Sequence, residues 1–231
     1  MATTATVAAI IPALNEETTI GAVVGAVPRD VVQRVIVVDN GSTDQTVSIA
    51  QANGAEIVTE TRRGYGYACY AGAAAATDAA VLVFLDGDGS DDPTEIPLLL
   101  APIHEQAADL VIGSRERGYH EPGALLPHAR FGNGLAALLM RWLYGLKVTD
   151  LGPFRAIRQP VYASLDMQEL TYGWTTEMMV KAAKQNYKIV EIPISYYRRA
   201  GGKSKISGTI RGTILAAYYI ISTTIKYAYG R

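Results

Sequence analysis

Four aspartates stand close together directly after a run of apolar residues. The segment VFLDGDGSDDP, residues 83–93, holds Asp86, Asp88, Asp91 and Asp92 and continues the apolar run 81–85. Like charges this close repel one another, so they need either open water or a compensating cation. Since Asp and Gly are also common loop residues, the pattern predicts either a solvated acidic turn or a metal site.

The spacing of Asp86 and Asp88 favours the metal site. In an extended segment, residues two apart point the same way, so these carboxylates can hold one hard cation between them. Ligands that are all oxygen favour Mg²⁺ or Mn²⁺ over Zn²⁺. A calcium-binding EF-hand loop is excluded, because Asp91 stands where that loop needs Gly and Pro97 where it needs a bidentate Glu.

The elements that position these residues follow an alternating pattern. Short aliphatic runs predict strands and the stretches between them predict helices: strands at 7–14, 34–40, 56–60, 79–86 and 109–114, and helices at 18–27, 44–54, 67–77 and 93–106. Such strands are typical of a mostly parallel sheet covered on both faces. The first ~115 residues therefore predict an α/β sandwich.

Three polar clusters fall where strands of this sheet end. They read PALNEE after the first strand, VDNGSTD after the second and LDGDGSDDP after the fourth. Asp44 by itself is explained more simply as a helix cap, and Asn15, Glu16 and Glu17 suit a helix start. Ligands of parallel sheets bind beyond the carboxyl ends of the strands, so the three clusters together predict a binding site. A dinucleotide site and a P-loop are excluded, because neither glycine motif is present.

Composition narrows the class of protein. The 231 residues suit one large domain or a domain with an appendage. Lys and Arg number 21 against 22 for Asp and Glu, a net charge of −1 that argues against nucleic acid as a partner. Cys69 is the only cysteine and the N-terminus lacks the basic start of a signal peptide. We expect a cytoplasmic protein.

The second half adds basic residues and two apolar segments. Arg155 and Arg158 lie in FRAIRQP, and YYRRAGGKSKIS holds Arg198, Arg199, Lys203 and Lys205; taken alone, this run predicts a solvated basic loop. The uncharged stretch 212–225 is shorter than the ~20 residues of a membrane-spanning helix, so it predicts an interfacial helix or one packed against the domain or a second subunit. In residues 129–145, Leu135, Leu138, Leu139 and Trp142 recur at helical spacing and predict a core face rather than a lipid groove.

These motifs, in this order, resemble a known family. IIPALNEETTI, VIVVDNGSTDQT, RRGYGYACYAG and VFLDGDGSDDP are similar to the nucleotide-sugar domain of glycosyltransferase family 2, which has the GT-A fold. TDLGPFRAI, TTEMMVKAA, IVEIPISYYRR and GGKSKIS extend the similarity over nearly the whole chain, towards dolichol-phosphate mannosyltransferases and dolichyl-phosphate glucosyltransferases.

The resemblance implies roles for individual residues. Asp86 and Asp88 correspond to the DXD metal pair, with Asp88 as the more direct ligand. The nucleotide sugar is expected on Pro12, Ala13, Asn15, Glu16, Asp39, Arg63, Asp86, Arg115, Arg130, Lys203 and Lys205. Relatives commonly carry Lys where this chain has Tyr65 and Tyr67, so Arg62 or Arg63 is expected to supply that charge.

The chemistry separates two kinds of acceptor. A departing nucleoside diphosphate needs a divalent cation, Mg²⁺ or Mn²⁺, and basic side chains such as Arg155 to stabilise its charge. A hydroxyl acceptor also needs a carboxylate base, for which Asp150 and Glu177 are the candidates. A lipid phosphate is already anionic and needs positive charge instead. The lipid-phosphate resemblance therefore favours a mobile basic lid over a solvated loop at 198–205.

The sequence thus predicts an inverting, metal-dependent transfer of a hexose from a UDP- or GDP-sugar to a polyprenyl or dolichyl phosphate. Two alternatives stay open: transfer to a saccharide or small-molecule hydroxyl, and a nucleotide-sugar-binding module without turnover. The expected organisation is a GT-A domain at 1–206, with a nucleotide half at 1–115 and an acceptor half at 116–206, and a helix at 207–231. A membrane surface and a second copy of the chain are further expected partners.

Overall fold

The computed structural model describes residues 6–125, 127–201 and 210–229. In chain order, its elements are β1 (Val7–Ala13), α1 (Ile20–Ala26), β2 (Arg34–Asp39), α2 (Thr46–Ala52), β3 (Glu56–Thr59), α3 (Tyr65–Ala75), β4 (Val81–Phe84), α4 (Ile96–His104), β5 (Leu110–Ser114), α5 (Pro127–Tyr144), β6 (Arg155–Arg158), α6 (Gln159–Ser164), α7 (Trp174–Lys184), β7 (Ile189–Pro193) and α8 (Ile210–Tyr229). A 3-10 turn at Pro93–Glu95 leads into α4.

The strands form one mixed sheet in the order β3-β2-β1-β4-β6-β5-β7. All neighbouring pairs are parallel except those made by β6, which runs antiparallel to both β4 and β5. The predicted mostly parallel sheet is confirmed. The insertion of β6 was not predicted, because its four residues begin and end with arginine and carry little strand signal.

Each face of the sheet buries its own core. Ala8 and Ile10 of β1 point to one face, where α3, α5 and α7 pack. Ala9 and Ile11 point to the other face, where α1 and α4 pack. This alternation is the period of two expected for a strand, and it explains why β1 is apolar throughout.

Helix α3 packs closely on the sheet at Gly72. A Cβ on Gly72 would lie 2.4 Å from Ile10 Cγ2, so only glycine lets α3 approach β1 this closely. Gly64 precedes α3 with a φ of 152°, a conformation that favours glycine. The start of α3 is thereby fixed at the carboxyl edge of the sheet, beside the polar loops.

The prediction that Leu135, Leu138 and Trp142 belong to the core is wrong. These side chains are 39%, 62% and 77% exposed. The face of α5 that packs on the protein carries Ala136 and Met140 instead, and both are buried. Helical spacing identifies an apolar face, but it does not say whether another element covers that face.

The described part of α8 packs against α5 and α7. The Tyr144 hydroxyl on α5 donates to the Thr224 carbonyl at 2.5 Å, and Tyr227 donates to Glu177 on α7 at 2.5 Å. Thr223 and Thr224 are buried. Of the two expectations for this segment, the packed helix agrees with these contacts. Across the described residues, every helix is too short or too polar to cross a bilayer.

Candidate functional site

A cavity of about 730 Å³ opens at the carboxyl edge of the sheet. Its walls come from the loops after β1, β2, β3, β4, β5 and β7, from the start of α3 and from the loop before α7. The strand register brings the strand ends to one edge: Ala13 lies beside Asp39, and Ile10 beside Phe84. The residues predicted for the nucleotide sugar that line it are Pro12, Ala13, Glu16, Arg63, Asp86 and Arg115, and Asp88 of the predicted metal pair lines it too. The structure thus brings seven of the fifteen predicted site residues together in one cavity wall.

The acidic segment folds as a tight turn in the wall of this cavity. Asp88 Oδ1 accepts hydrogen bonds from the Ser90 amide at 2.9 Å and the Ser90 hydroxyl at 2.5 Å. The Asp86 amide donates to Asp91 Oδ2 at 3.3 Å. Asp91 is buried, and its Oδ1 has no hydrogen-bond partner among the described residues. A buried carboxylate oxygen without a donor is costly unless a cation compensates it.

Negative charge is crowded in this turn. Desolvation, with a smaller contribution from Asp88, raises the pKa of Asp86 from 3.8 to about 7. Burial, and after it the charges of Asp86 and Asp88, raise the pKa of Asp91 well above its ordinary value. A carboxylate resists ionisation in this way when the surrounding positive charge is insufficient. The turn is therefore chemically suited to a hard divalent cation.

The side chains of the acidic turn could supply only some of the ligands that a divalent cation needs. Within 6–125, 127–201 and 210–229, no three His, Cys, Asp or Glu side chains converge as a metal site. Mg²⁺ is typically held by one or two carboxylates together with waters and substrate phosphates. Asp86 and Asp88 fit that incomplete type of site, with the remaining positions left to a diphosphate and water.

Arg199 places a positive charge in this acidic wall. Its Nη2 lies 2.6 Å from Asp88 Oδ2, and its Nη1 lies 3.0 Å from Glu16 Oε1. The side chain is 25% exposed and follows β7 in the chain, whereas Glu16 follows β1. Arg199 belongs to the basic lid expected at 198–205, but its pairing with Asp88 and Glu16 was not predicted, because these partners are remote in sequence.

Arg115 is held in the cavity wall by Asp150. Arg115 Nε and Nη2 donate to the two oxygens of Asp150 at 2.7 and 2.6 Å, and Asn133 Nδ2 donates to Asp150 Oδ1 at 2.8 Å. Burial would lower the pKa of Arg115, but the Asp150 charge outweighs it and raises that pKa. Burial would raise the pKa of Asp150, but Arg115 lowers it. Asp150 is fully buried and positions the arginine rather than facing the cavity.

Glu177 and Arg155 lie in the interior, away from the cavity. Glu177 accepts hydrogen bonds from the amides of Gln168 and Glu169, from the Tyr227 hydroxyl and from Lys181. Its fully buried carboxylate therefore joins the 168–169 loop, α7 and α8. Arg155 donates to the carbonyls of Leu151, Gly152 and Thr175, and burial lowers its pKa to about 10. The expected catalytic placement of these two side chains disagrees with this geometry.

The remaining predicted residues lie around the cavity or outside the described chain. Asn15, with a φ of 53°, joins the loop after β1 to the loop after β2, because its Oδ1 accepts a hydrogen bond from the Thr43 amide. Asp39 accepts from the Ser42 amide within the loop after β2. Arg130 is paired with Glu116 at 3.0 Å on the surface of α5. Lys203 and Lys205 lie outside the described residues. Nucleotide binding by these five residues stays a prediction.

Aromatic side chains form a further part of the cavity wall, which the sequence analysis did not identify. Tyr172, Tyr196 and Tyr197 line it. The Tyr172 ring lies 5.7 Å from that of Tyr219 on α8, and the Tyr197 ring lies 6.0 Å from that of the exposed Tyr119. The cavity thus combines acidic and basic side chains with three tyrosine rings.

Comparison with known proteins places this cavity in a family context. The family model described as glycosyl transferase family 2 matches residues 8–165. An uncharacterised glycosyltransferase of Mycobacterium tuberculosis (strain ATCC 25618 / H37Rv) is 40% identical over 212 residues, covering 91% of this chain and 94% of that protein. The undecaprenyl-phosphate mannosyltransferase of Micrococcus luteus is 34% identical over 223 residues, covering 88% of each.

Solved structures agree with the sequence relatives. Glucosyl-3-phosphoglycerate synthase from Mycobacterium tuberculosis, in complex with Mn²⁺, uridine diphosphate and glucosyl-3-phosphoglycerate, superposes with a TM-score of 0.77 at 25% identity. The match covers 97% of this chain and 80% of that one. The GT-A fold implied by the sequence motifs is confirmed.

Proposed function

Because this chain belongs to glycosyl transferase family 2 and is a glycosyltransferase, we propose that it transfers a hexose from a nucleotide diphosphate sugar to a polyprenyl phosphate. The reaction is a single displacement that inverts the sugar and depends on a divalent cation. The relative from Micrococcus luteus is named for transfer to undecaprenyl phosphate, and the synthase structure contains Mn²⁺ and uridine diphosphate. The relative supports the lipid-phosphate acceptor, and the synthase structure supports the nucleotide and the divalent cation but is named for a different acceptor.

One observation carries the proposal: the cavity has positive charge for phosphates, and neither candidate base faces it. Among the described residues that line it, the cationic side chains are Arg63, Arg115, Arg198 and Arg199. Asp150 and Glu177, the two carboxylates expected as bases, are committed to structural hydrogen bonds elsewhere. A phosphate acceptor is already an anion and needs no base, so this arrangement favours a lipid phosphate over a hydroxyl.

The residues of the chain have separable roles in this reaction. Pro12 and Ala13 form the wall beside the nucleobase, and Arg63 and Arg115 neutralise the two ends of the phosphate region. Asp88, with Asp86 beside it, would hold the cation, which when bound stabilises the negative charge of the departing diphosphate. Arg198 and Arg199 orient the acceptor phosphate for attack on the anomeric carbon. Proximity and charge stabilisation, rather than proton transfer, then account for the acceleration.

The aromatic wall suits the remainder of such an acceptor. Tyr196 and Tyr197 follow β7 and lie beside Arg198 and Arg199 in the chain, so a bound phosphate would place its first isoprenoid units against these rings. Apolar hydrocarbon gains free energy from contact with aromatic faces, whereas a sugar acceptor would need more hydrogen-bond donors and acceptors. Because these rings and arginines lie at 196–199, we propose that the segment 116–206 forms the acceptor half.

A screen of donors against acceptors tests the proposal. Purified enzyme with Mn²⁺ would be incubated with UDP- or GDP-hexoses and either polyprenyl phosphate in detergent or 3-phosphoglycerate, and products would be identified by mass. We expect a polyprenyl phosphate hexose. A product formed only with the soluble hydroxyl acceptor would overturn the acceptor class, and nucleotide binding without any product would favour the non-catalytic module.

A pair of variants sharpens the acceptor assignment. Arg198→Gln removes a cavity cation and should raise the KM for polyprenyl phosphate by roughly tenfold, the scale of one lost charge-assisted contact. Arg34→Gln, at the amino end of β2, is the matched control, because Arg34 pairs with Glu56 and Asp78, as Arg198 pairs with Glu121, but lies at the opposite edge of the sheet. Equal effects of both variants would contradict the phosphate-binding role.

A further inference from the structure

We propose that the exposed face of α5 docks on the surface of an anionic lipid bilayer. The α5 face is defined here by Phe131, Leu135, Leu138 and Trp142, with Arg130 and Arg141 beside them. Docking by α5 goes beyond the proposed function, because it does not depend on which acceptor the enzyme uses.

The first observation is the exposure of large apolar side chains along one side of the helix. Phe131 and Trp142 are 76% and 77% exposed, and Leu138 is 62% exposed. They recur every three or four residues, so they form a continuous stripe of roughly 16 Å at 1.5 Å per residue. A Cβ built on Gly134, which lies on the same side, meets no atom within 4 Å. Nothing in the described part of the chain covers this stripe.

The second observation is the charge around the stripe. Residues 122–149 contain no Asp or Glu, whereas Arg130, Arg141 and Lys147 lie within this range. Arg130 is paired with Glu116, so Arg141 and Lys147 supply the local excess of positive charge. The chain as a whole has a net charge of −1, so the positive charge is local to this segment. A helix with an apolar face bordered by cations, and with a tryptophan near one end, has the properties of an interfacial membrane helix.

This charge pattern distinguishes a bilayer from a second copy of the chain. A two-fold symmetric contact through the α5 face would bring together two copies of the same segment, which has cations and no carboxylate of its own. Like charges that face each other oppose association, whereas anionic headgroups attract each cation near the surface. The α5 face is therefore complementary to anionic lipid and not to itself.

Docking through this face also has a consequence for the cavity. Asn133 lies on the protein side of α5 and donates to Asp150, which in turn holds Arg115 in the cavity wall. The helix that contacts the bilayer is thus joined to the phosphate-binding region through two side-chain contacts. A docked α5 keeps the cavity at the membrane surface, where lipid-linked substrates are found.

Vesicle flotation without any substrate tests the proposal. Wild-type protein should float with phosphatidylcholine vesicles that contain phosphatidylglycerol, and less with pure phosphatidylcholine. The double variant Leu138→Gln with Trp142→Gln should partition at least about tenfold less, because it removes two large apolar contacts. Leu98→Gln is the matched control: Leu98 is a 52% exposed leucine on α4, which packs on the opposite face of the sheet. It should float like the wild type.

Tryptophan fluorescence gives a second measurement that does not depend on the double variant. The chain has two tryptophans, of which Trp174 is fully buried and Trp142 is exposed. Anionic vesicles should shift the emission of the wild type to shorter wavelength, and Trp142→Phe should lose this shift while still floating. Arg141→Gln should weaken flotation and reduce its dependence on salt.

Several outcomes would overturn the proposal. Wild type that fails to float, or a double variant that floats as well as Leu98→Gln, would show that the α5 face does not bind lipid. A dimer in sedimentation velocity that the double variant converts to monomer, without vesicle binding, would identify the face as a subunit interface. Since no donor or acceptor is present, failure here is separate from failure of the transfer assay.

Discussion

Arg199 forms an ion pair with Asp88, with 2.6 Å between Nη2 and Oδ2, and so places a guanidinium beside the carboxylate proposed to hold the cation. The same arginine contacts Glu16 at 3.0 Å. The segment after β7 is thereby joined to the loops after β1 and β4. A guanidinium and a divalent cation compete for the same carboxylate oxygen, so metal loading and the position of Arg199 are coupled.

The first prediction concerns this competition. Arg199→Gln should tighten the binding of Mn²⁺ in the absence of nucleotide by roughly tenfold, because Asp88 no longer has to release an arginine. Titration calorimetry, or the electron paramagnetic resonance of free Mn²⁺, measures this directly. Arg34→Gln should leave Mn²⁺ binding unchanged. Weaker binding in Arg199→Gln would mean that the arginine organises the site rather than competing for it.

The second prediction concerns Asp88 itself. Asp88→Asn should lower transfer by roughly a hundredfold to a thousandfold, the range for loss of one preorganised electrostatic group. Asp92→Asn is the control, because Asp92 caps the 3-10 turn through Thr94 and Asn caps about as well. Activity and thermal denaturation would be measured for both. An Asp88→Asn enzyme that is folded and retains most of its activity would exclude Asp88 as a required ligand.

The third prediction separates a positioning role of Asp150 from a role as base. Asp150→Asn should lower the free energy of unfolding by about 3 kcal/mol, because it leaves Arg115 buried without its counter-ion. Asp109→Asn breaks the more exposed pair with Arg158 and should cost less than about 1 kcal/mol. Urea denaturation measures both. Loss of kcat with unchanged stability would instead point to a base.

The stability difference between wild type and Asp150→Asn should depend on pH, because the pKa of Asp150 is lowered in the folded protein. A carboxyl whose pKa is lower in the folded state than its ordinary 3.8 contributes stability that is complete above that value. The contribution is lost as pH falls through the folded pKa. The stability gap between wild type and Asp150→Asn should therefore be constant near neutrality and shrink below about pH 4. A gap that changes between about pH 6 and 8 would indicate a different titrating group.

The fourth prediction concerns Glu177. Glu177→Gln should lower the free energy of unfolding by about 2 kcal/mol. The buried carboxylate accepts hydrogen bonds from two backbone amides, and the substitution removes its charge. At a temperature where the variant is folded, kcat should remain within about twofold of wild type. Tyr227→Phe removes one donor to the same carboxylate and should have a smaller effect in the same direction. If the Glu177→Gln enzyme is stable but inactive, Glu177 again becomes a candidate base.

The sequence by itself determined the family, the α/β class and the strand-end clusters. Aliphatic runs that alternate with helices require a sheet covered on both faces, and parallel strands bring their carboxyl ends to one edge, so Pro12, Glu16, Asp86 and Asp88 had to lie near one another. The ordered motifs also identified a glycosyltransferase of family 2, which the family model and the relatives confirm.

Tertiary structure alone decided which charged residues face the cavity and which apolar faces are covered. Asp150, Glu177 and Arg155 have residue types that suit catalysis, but their roles depend on the donors and acceptors that surround them, and these come from distant segments. The pairing of Arg199 with Asp88 joins loops that follow different strands. The stripe of α5 has the periodicity of a core helix, yet it is exposed, because periodicity reports that one face is apolar and only packing determines what covers it.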